Sequence, residues 1–526
     1  VEQYLSKIKV IRTIAGKIID FLAQLEDFQK KLWLKKKFVT ETSWCVRIGI
    51  IPKEFYPEIA ANEAQWEEWK ALHGLEGEVF ASKSGDLFSS QAVRGTVEFL
   101  SAYPTLMIDT RHFDADFTAR LLDALDDIDE KTDGVLVHSE NFQALNLMQR
   151  RYREKIKCVY IDPPYNTGND DFLYKDNYQH SSWLSMVHDR LERARRLMSA
   201  EGGLFASIDY NEEVNFKFIL EDVFGSEQYR NTIIPSRVKK SIMEKDRVKS
   251  LNWGTGSLLF FASTAKTTIL PPIKGLDRKS SEKWHAFDAP GIRPTMEYSL
   301  FGRKPPVGRH WMYSQENAQR MITNGELRLN QKSGNIQYRI PNSNQVILDT
   351  NWTDIIESSS KWSFLTEKNI DLLVRAFKMM VLQDELLLDF FAGSGTTGHA
   401  VINLNREDGG KRKFILVEMA DYFDTVLLPR LKKVTFTPEW KDGKPKRLAT
   451  TEETERSPRM FKVIRLESYE DTLNNLELQR TPEQEDALFS TEAQGPGNLK
   501  EQYMLNYMLD VESRGSQSLL NIDAFK

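Results

Sequence analysis

The chain has 526 residues, of which 40% are hydrophobic and 28% are charged, and its formal net charge is −5. This length allows several hydrophobic cores, and ordinary domain sizes predict about two to four domains. No apolar run approaches the roughly 18 residues of a membrane span, and two cysteines are too few for a disulfide framework, so we expect a cytoplasmic protein. The slightly acidic balance does not indicate nucleic-acid binding, which has to depend on local basic patches.

The first hundred residues are expected to form a mainly helical region. From Leu5 to Lys37 apolar residues recur at intervals of three and four, which predicts one long amphipathic helix or two in series. We assign no chemistry to residues 1–100, although the long helix is typical of a surface that binds a partner.

The middle of the chain alternates strands with helices. "KCVYID" and "GGLFASID" are predicted strands, and "SSWLSMVHDRLERARRLMS" is a predicted helix between them. This alternation predicts the α/β class with a doubly wound, mostly parallel sheet. The expected organisation is a catalytic half at 101–235, an inserted domain at 236–350, a cofactor-binding half at 351–435 and a C-terminal extension at 436–526 that contacts a partner or DNA.

A glycine loop follows the predicted strand "LLLDFF", which ends near Asp389. In "AGSGTT" the glycines allow a tight turn and close approach of a ligand to the backbone. The next strand, "RKFILVE", ends on Glu418, where a nucleotide-binding unit offers a carboxylate to ribose hydroxyls. The sequence has no "GxxxxGK[ST]" motif, so we expect a nucleoside ligand without a polyphosphate.

The stretch "CVYIDPPYNTGND" places an aspartate and two prolines at the end of a buried strand. Ligands of doubly wound sheets bind at strand ends, so Asp162 is expected at the mouth of a crevice. Pro163 and Pro164 restrict the backbone, which leaves the Asp162 carboxylate and the Pro163 carbonyl as two rigid acceptors. Two acceptors suit an exocyclic amine with two hydrogens, and Tyr165 offers a flat face to the base that carries it.

Taken together, Asp162-Pro163-Pro164-Tyr165 and Phe391-Ala392-Gly393-Ser394-Gly395 resemble the two diagnostic motifs of amino-group DNA methyltransferases. Their order resembles the permuted β class. The amino-acid sequence around the first motif is similar to the modification (Mod) subunits of type III restriction-modification systems and to related adenine methyltransferases of phage defence. The resemblance implies a prokaryotic enzyme that transfers a methyl group from S-adenosylmethionine to N6 of adenine in double-stranded DNA after flipping the base.

The resemblance also implies roles for particular residues. Asp162, Pro163, Pro164 and Tyr165 form the catalytic motif, and Tyr165 with Phe172 or Tyr174 contacts the flipped base. The implied cofactor-binding residues are Glu140, Asn141, Asp162, Thr366, Lys368, Asp389, Phe391, Gly393, Ser394, Gly395 and Glu418. No metal is needed, because the sulfonium already makes the methyl group electrophilic.

A departure from the family occurs at Asn369, which stands where the family's proline follows the lysine of "FLTEK". This departure puts the start of the local helix in doubt rather than the site.

We expect the inserted domain at 236–350 to recognise the DNA sequence. Its basic stretch "RVKKSIMEKDRVK" offers Arg237, Lys239, Lys240 and Arg247 to phosphates or guanine edges.

Two other functions stay open. One is N4-methylation of cytosine, which uses the same geometry, although Asp ahead of Pro-Pro-Tyr favours adenine in this family. The other is a DNA-binding specificity subunit whose methylation is vestigial. For protein partners the sequence suggests either a homodimer partner or a separate nuclease or helicase subunit of a defence system.

Overall fold

The computed structural model describes residues 2–74, 96–166, 180–237, 253–275, 283–340, 345–359, 362, 364, 366–441, 443–468 and 471. The helices are α1 (Glu2–Leu34), α2 (Tyr56–Ala60), α3 (Glu63–His73), α4 (Val97–Ala102), α5 (Ala115–Asp123), α6 (Ile128–Lys131), α7 (Asn141–Tyr152), α8 (His180–Leu197), α9 (Glu213–Phe224), α10 (Gln315–Thr323), α11 (Ile370–Met380), α12 (Thr396–Asp408), α13 (Leu428–Phe436) and α14 (Thr451–Glu455).

The strands are β1 (Val39–Arg47), β2 (Met107–Asp109), β3 (Thr132–His138), β4 (Ile156–Ile161), β5 (Met198–Ile208), β6 (Tyr229–Ser236), β7 (Ser257–Ala262), β8 (Ile273–Gly275), β9 (Lys283–Ala286), β10 (Asp288–Pro290), β11 (Arg309–Trp311), β12 (Leu327–Leu329), β13 (Ile336–Ile340), β14 (Gln345–Ile347), β15 (Asn351–Ile356), β16 (Leu386–Asp389), β17 (Lys413–Glu418), β18 (Trp440–Lys441), β19 (Lys444–Pro445) and β20 (Met460–Leu466).

A large mixed sheet forms the centre of the main unit, with the strand order β15-β6-β7-β5-β4-β16-β17-β3-β20-β1-β2. The strands from β5 through β4, β16, β17 and β3 to β20 pair in parallel. Helices cover both faces: α7, α8 and α9 pack over one hydrophobic core, and α11, α12 and α13 pack over the other. The predicted α/β, doubly wound, mostly parallel fold is confirmed.

Three strands of this sheet come from regions for which we predicted no strand. β1 and β2 lie within or just beyond the region expected to be mainly helical, and β20 lies in the expected C-terminal extension. β20 pairs in parallel with β3 and antiparallel with β1. These strands exist because partners distant in the sequence supply their hydrogen bonds, which local residue patterns do not record.

Residues 271–349 form a second compact unit, which is shorter than the expected insertion at 236–350. The difference at its start arises because β7 is buried along its whole length and pairs with β5 and β6 in the main sheet. The second unit has its own small core, formed by Phe287, Leu300, Trp311, Ala318, Leu327 and Ile336.

The long N-terminal helix α1 confirms the predicted amphipathic helix. Near its end, Trp33 packs against Phe142, and the Trp33 carbonyl accepts a hydrogen bond from Gln143. The apolar side chains Ile8, Ile11, Ile14, Ile18 and Leu22 are each more than half exposed. None of the described helices is long and apolar enough to cross a membrane.

Candidate active site

Three acidic residues meet at one edge of the sheet because three neighbouring parallel strands end there. Asp162 follows β4, Asp389 ends β16 and Glu418 ends β17, and these strands are adjacent. The register pairs Asp389 with Tyr160 on one side and with Leu416 on the other. The catalytic and cofactor motifs, more than two hundred residues apart in the chain, therefore lie side by side.

A cavity opens at this edge between the two motifs. Its lining residues are Tyr160, Asp162, Pro163, Pro164, Tyr165, Phe364, Thr366, Lys368, Asp389, Phe391, Ala392, Gly393, Ser394, Thr396, Thr397, Glu418 and Tyr422. Most of the residues that the two motifs predict for the site thus line one cavity, whose walls contain aromatic rings and carboxylates.

The glycine loop between β16 and α12 has a backbone that requires glycine. Gly393 and Gly395 have φ angles of 53° and 79°, in the left-handed region that side chains disfavour. Gly395 does not line the cavity. Instead it caps the start of α12, and a Cβ atom there would lie 3.2 Å from Cγ of Leu427. Gly395 thus turns the chain into α12, and its contact with the cofactor stays a prediction.

The carboxylates of Asp389 and Glu418 hold this loop in place. Asp389 accepts hydrogen bonds from the Phe391 amide at 3.0 Å and from the Thr397 hydroxyl at 2.6 Å. Glu418 accepts from the Gly393 amide at 2.9 Å and from the two amides that follow its own residue. These hydrogen bonds place the Glu418 carboxylate at the wall of the cavity, beside the glycine loop.

A buried ion pair supports the loop from behind. Arg430 donates to the Glu367 carboxylate at 3.0 Å, to the Ser394 hydroxyl at 2.8 Å and to the Thr396 hydroxyl at 3.1 Å. Both charged side chains are almost completely buried. The pair connects the segment before α11 with the cofactor loop. We did not predict this ion pair from the sequence.

The Asp162 side chain is partly buried in the cavity, and its Oδ1 atom is fully enclosed. Its Oδ1 atom lies 3.2 Å from Nζ of Lys368, but accepts no well-aligned hydrogen bond from the described residues. Burial raises the pKa of Asp162, and the Lys368 ammonium opposes that rise. A buried acceptor that lacks a well-aligned hydrogen bond is costly, so this atom is suited to an incoming N–H group.

The rest of the catalytic motif is fixed by neighbouring side chains. The Pro164 carbonyl accepts a hydrogen bond from the Trp183 indole at 2.9 Å. The Tyr165 hydroxyl donates to Glu357 at 3.0 Å and accepts from Lys368. Both proline positions are thereby held with Asp162 in one rigid turn.

Two further predicted residues lie outside the cavity. Asn141 donates to the Phe390 carbonyl at 2.9 Å and accepts from Arg190, while Glu140 caps α7 and pairs with Arg190. Asn141 thus supports the cofactor loop through Phe390, and the predicted contacts of Glu140 and Asn141 with the cofactor stay predictions. Asn369 resolves the doubt about its helix, because its side chain caps α11 by accepting from the Asp371 amide.

The predicted base and DNA contacts fall mostly outside the described residues. Phe172, Tyr174, Lys239, Lys240 and Arg247 all lie there. Arg237 is described, and its guanidinium pairs with the buried Asp209 carboxylate at 2.6 Å. Its role in binding DNA stays a prediction.

A protein-family model matches the part of the chain that contains the catalytic motif and the glycine loop. The family described as DNA methylase matches residues 156–426, just over half of the chain. The chain belongs to the DNA methylase family.

This DNA methylase is similar to subunits of known restriction-modification enzymes. It is 29% identical over 334 residues to the Mod subunit of the type III enzyme StyLTI of Salmonella typhimurium, a match that covers 53% of the chain and 51% of that subunit. It is 27% identical over 346 residues to the type II methyltransferase M.KpnI of Klebsiella pneumoniae, covering 55% of the chain and 81% of that protein. The chain spans about half the length of the StyLTI subunit.

Among solved structures, the complex of M1.HpyAVI with S-adenosylmethionine aligns with a TM-score of 0.32 and 14% identity. The alignment covers 57% of the chain and 98% of that structure.

The cavity of this DNA methylase fits S-adenosylmethionine, the cofactor of its family. Backbone conformations that favour glycine let the loop approach a ligand closely, and the Glu418 carboxylate lines the same cavity. Phe364 and Tyr422 meet edge to face at 5.1 Å between ring centroids and offer an apolar wall. Phe391, Gly393, Ser394, Thr366 and Lys368 all line the same space, as the resemblance implies.

The residues of this cavity or its border that sequence reasoning missed include Glu357, Phe364 and Tyr422. Glu357 follows β15 directly, just as Asp162 follows β4. An acid at the end of a predicted strand was the signal that could have found it. The two aromatic residues carry no such signal, because isolated aromatic residues are usually part of a core.

Asp389 is expected to make both stability and cofactor binding depend on pH. Burial raises the pKa of Asp389 from 3.8 to about 7, so the folded chain holds this proton more tightly than the unfolded chain. Stability should therefore fall as the pH rises from about 4 to 7, at up to roughly 1.4 kcal/mol per pH unit. Cofactor affinity should rise over pH 6 to 8, because the ionised carboxylate attracts a cation.

Calorimetry and urea unfolding at several pH values check this expectation, with Asp389→Asn as the matched variant. Asparagine can still accept from the Phe391 amide, so the loop should fold. In the variant, neither stability nor cofactor affinity should show the change with pH that the titration of Asp389 causes. Identical pH profiles in the two proteins would contradict the assignment.

Proposed function

We propose that this protein is a site-specific DNA methyltransferase that transfers a methyl group from S-adenosylmethionine to N6 of adenine in double-stranded DNA. The observation that carries the proposal is the buried, unsatisfied Oδ1 atom of Asp162 in the same cavity as the glycine loop. The cofactor supplies a methyl group that its sulfonium makes electrophilic. We further propose that the protein acts in the prokaryotic cytoplasm, in restriction-modification or phage defence.

The residues of the cavity would act by positioning. The Asp162 carboxylate and the Pro163 carbonyl would accept the two hydrogens of the adenine amine, which orients its lone pair. Tyr165 would hold the base by stacking, because its hydroxyl is fixed by Glu357 and Lys368. Such alignment of reacting atoms can supply most of the rate enhancement of a transfer that needs no covalent intermediate. The amine lies inside the duplex, so the base must flip, at a cost of a few kcal/mol.

Product analysis tests the proposal. The protein is incubated with unmodified DNA and methyl-labelled cofactor, and the DNA is digested to nucleosides. We expect label in N6-methyladenine. Label in N4-methylcytosine would show that the methylated base is cytosine. Cofactor binding without methyl transfer to any of several unmodified genomic DNAs would favour a specificity subunit with vestigial methylation.

As a protein partner we propose a second copy of the chain, bound through α1. Several exposed apolar residues of α1 recur along one side: Ile11 and Ile18 are seven residues apart, and the partly buried Leu25 follows at the same spacing. The first part of the helix is basic (Lys7, Lys9, Arg12 and Lys17) and the next part is acidic (Asp20, Glu26 and Asp27). Antiparallel pairing of two copies would place opposite charges beside each other.

The double variant Ile11→Asp/Ile18→Asp is expected to convert a dimer into a monomer in analytical ultracentrifugation. Two buried charges without partners would oppose association more strongly than the apolar contacts favour it. Thr13→Asp, on the polar side of α1, is the matched control and should remain dimeric. A monomeric wild-type protein, or a double variant that stays dimeric, would contradict this interface.

A further inference from the structure

We propose that Glu357 is a positioning residue for methyl transfer: it shares the Lys368 ammonium with the Asp162 carboxylate and fixes the Tyr165 hydroxyl, so that Lys368 does not bind Asp162 alone and Asp162 keeps an acceptor for the substrate amine. This inference rests on the proposed methyltransferase function. It assigns a role to an acid that lies outside both sequence motifs.

The Lys368 ammonium is divided unequally between Glu357 and Asp162. It makes a short ion pair with Oε1 of Glu357 and a longer one, at 3.2 Å and without good hydrogen-bond alignment, with Oδ1 of Asp162. The same Oε1 atom accepts the Tyr165 hydroxyl at 3.0 Å. One carboxylate oxygen thus positions both the cation beside Asp162 and the ring expected to hold the base.

The backbone and surroundings of Glu357 are built for this placement. Its amide donates to the Ser236 carbonyl at 2.7 Å, and its carbonyl accepts from the Asn369 amide at 2.8 Å. Gly256 leaves the space that the carboxylate occupies, since a Cβ atom at position 256 would lie 2.0 Å from Oε2 of Glu357. The side chain of Glu357 is nine-tenths buried. A buried carboxylate is costly unless it is paired, so its place beside Lys368 is strongly determined.

A second acid is needed because an ammonium competes with an amine. Hydrogen bonds between charged groups are about twice as strong as those between neutral groups, so a lysine with Asp162 as its sole partner would outcompete the neutral amine of adenine. With Glu357 present, Lys368 has a stronger partner and Asp162 keeps its acceptor. Two carboxylates and one ammonium also leave one net negative charge, which suits the positive charge that develops on the attacking nitrogen.

The ionisable groups around Asp162 and Glu357 predict how the variant responds to pH. The charged and titratable groups that face them are Lys368, Tyr165, Tyr160, Asp389 and Arg237. Burial raises the pKa of Asp162, and the negative charge of Glu357 adds to that rise. Removing this charge lets Lys368 pair fully with Asp162, so the pKa of Asp162 should fall.

The test compares Glu357→Gln and Glu357→Asp with the wild-type protein in methyl transfer to DNA. We expect E357Q to lower kcat on the order of 10²-fold, as a misplacement of about 1 Å can. Its affinity for S-adenosylmethionine should stay within about threefold, and the acidic limb of its pH profile should move to lower pH. E357D, which keeps the charge, should recover part of the rate.

Asp354→Asn is the matched control, because Asp354 lies on β15, three residues before Glu357, but pairs with Arg375 at the partly exposed surface. It should behave as the wild type. A kcat of E357Q within about twofold of the wild type, with an unchanged pH profile, would overturn the inference. Equal losses of kcat, cofactor affinity and thermal stability would also overturn it, since they would indicate a merely structural role.

Should E357Q not fold, Gly256→Ala decides the question, because the added methyl group displaces the Glu357 carboxylate while keeping its charge. A loss of kcat with normal cofactor binding would support the inference, and a wild-type kcat would overturn it. Absence of methyl transfer by the wild-type protein would instead refute the proposed function.

Discussion

Replacing Asp162 with alanine is expected to reduce methyl transfer at least about 10³-fold, which makes this the largest effect on activity that we predict. The variant removes the carboxylate that would accept a hydrogen of the amine, and no other described side chain can take its place: Glu357 is already bound to Lys368 and Tyr165. The base would then bind without its reactive nitrogen being oriented.

Cofactor binding by the same variant should change by less than about tenfold, since one lost hydrogen bond contributes roughly 1 kcal/mol. The glycine loop and Glu418 stay in place, because their hydrogen bonds do not involve Asp162. Transfer of labelled methyl groups and calorimetric titration with S-adenosylmethionine separate the two effects. Asp189→Ala, on the exposed side of α8, is the control. Activity retained by D162A would show that another group orients the amine.

Replacing Arg430 with methionine is expected to give the largest loss of stability, about 3–5 kcal/mol. The side chain of Arg430 is 1% exposed and that of its partner Glu367 is 0% exposed, so the variant would leave a buried carboxylate without its cation. It would also remove the donors to Ser394 and Thr396 in the cofactor loop. Cofactor affinity should therefore fall together with stability.

Chemical denaturation of a double-mutant cycle checks this prediction. In Arg430→Met/Glu367→Met both charges are absent, and replacing a buried ion pair by apolar side chains is often nearly neutral. We expect the double variant to recover much of the stability, but not the cofactor affinity, because the loop hydroxyls still lack their donor. A loss below about 1 kcal/mol in R430M would show that Glu367 finds another partner or takes up a proton.

Local residue patterns were sufficient for the parts of the fold whose cause is local. The strand ending at Asp162 and the glycine turn after Asp389 could be predicted, because strand periodicity and glycine conformations act over a few residues. The boundary between the main sheet and the insertion could not be predicted in this way. β7 looks like an isolated apolar run, and its pairing with β5 and β6 depends on partners elsewhere in the chain.

The sequence by itself therefore determined the chemistry at the strand ends: a carboxylate, a rigid proline turn and a glycine loop. Only the tertiary structure decided which acids share a charge network. Glu357 reaches Lys368 and Tyr165, and Arg430 reaches Ser394, because non-adjacent segments pack together. Electrostatic interactions in a buried site depend on distance and burial, and neither quantity is encoded in the order of the residues alone.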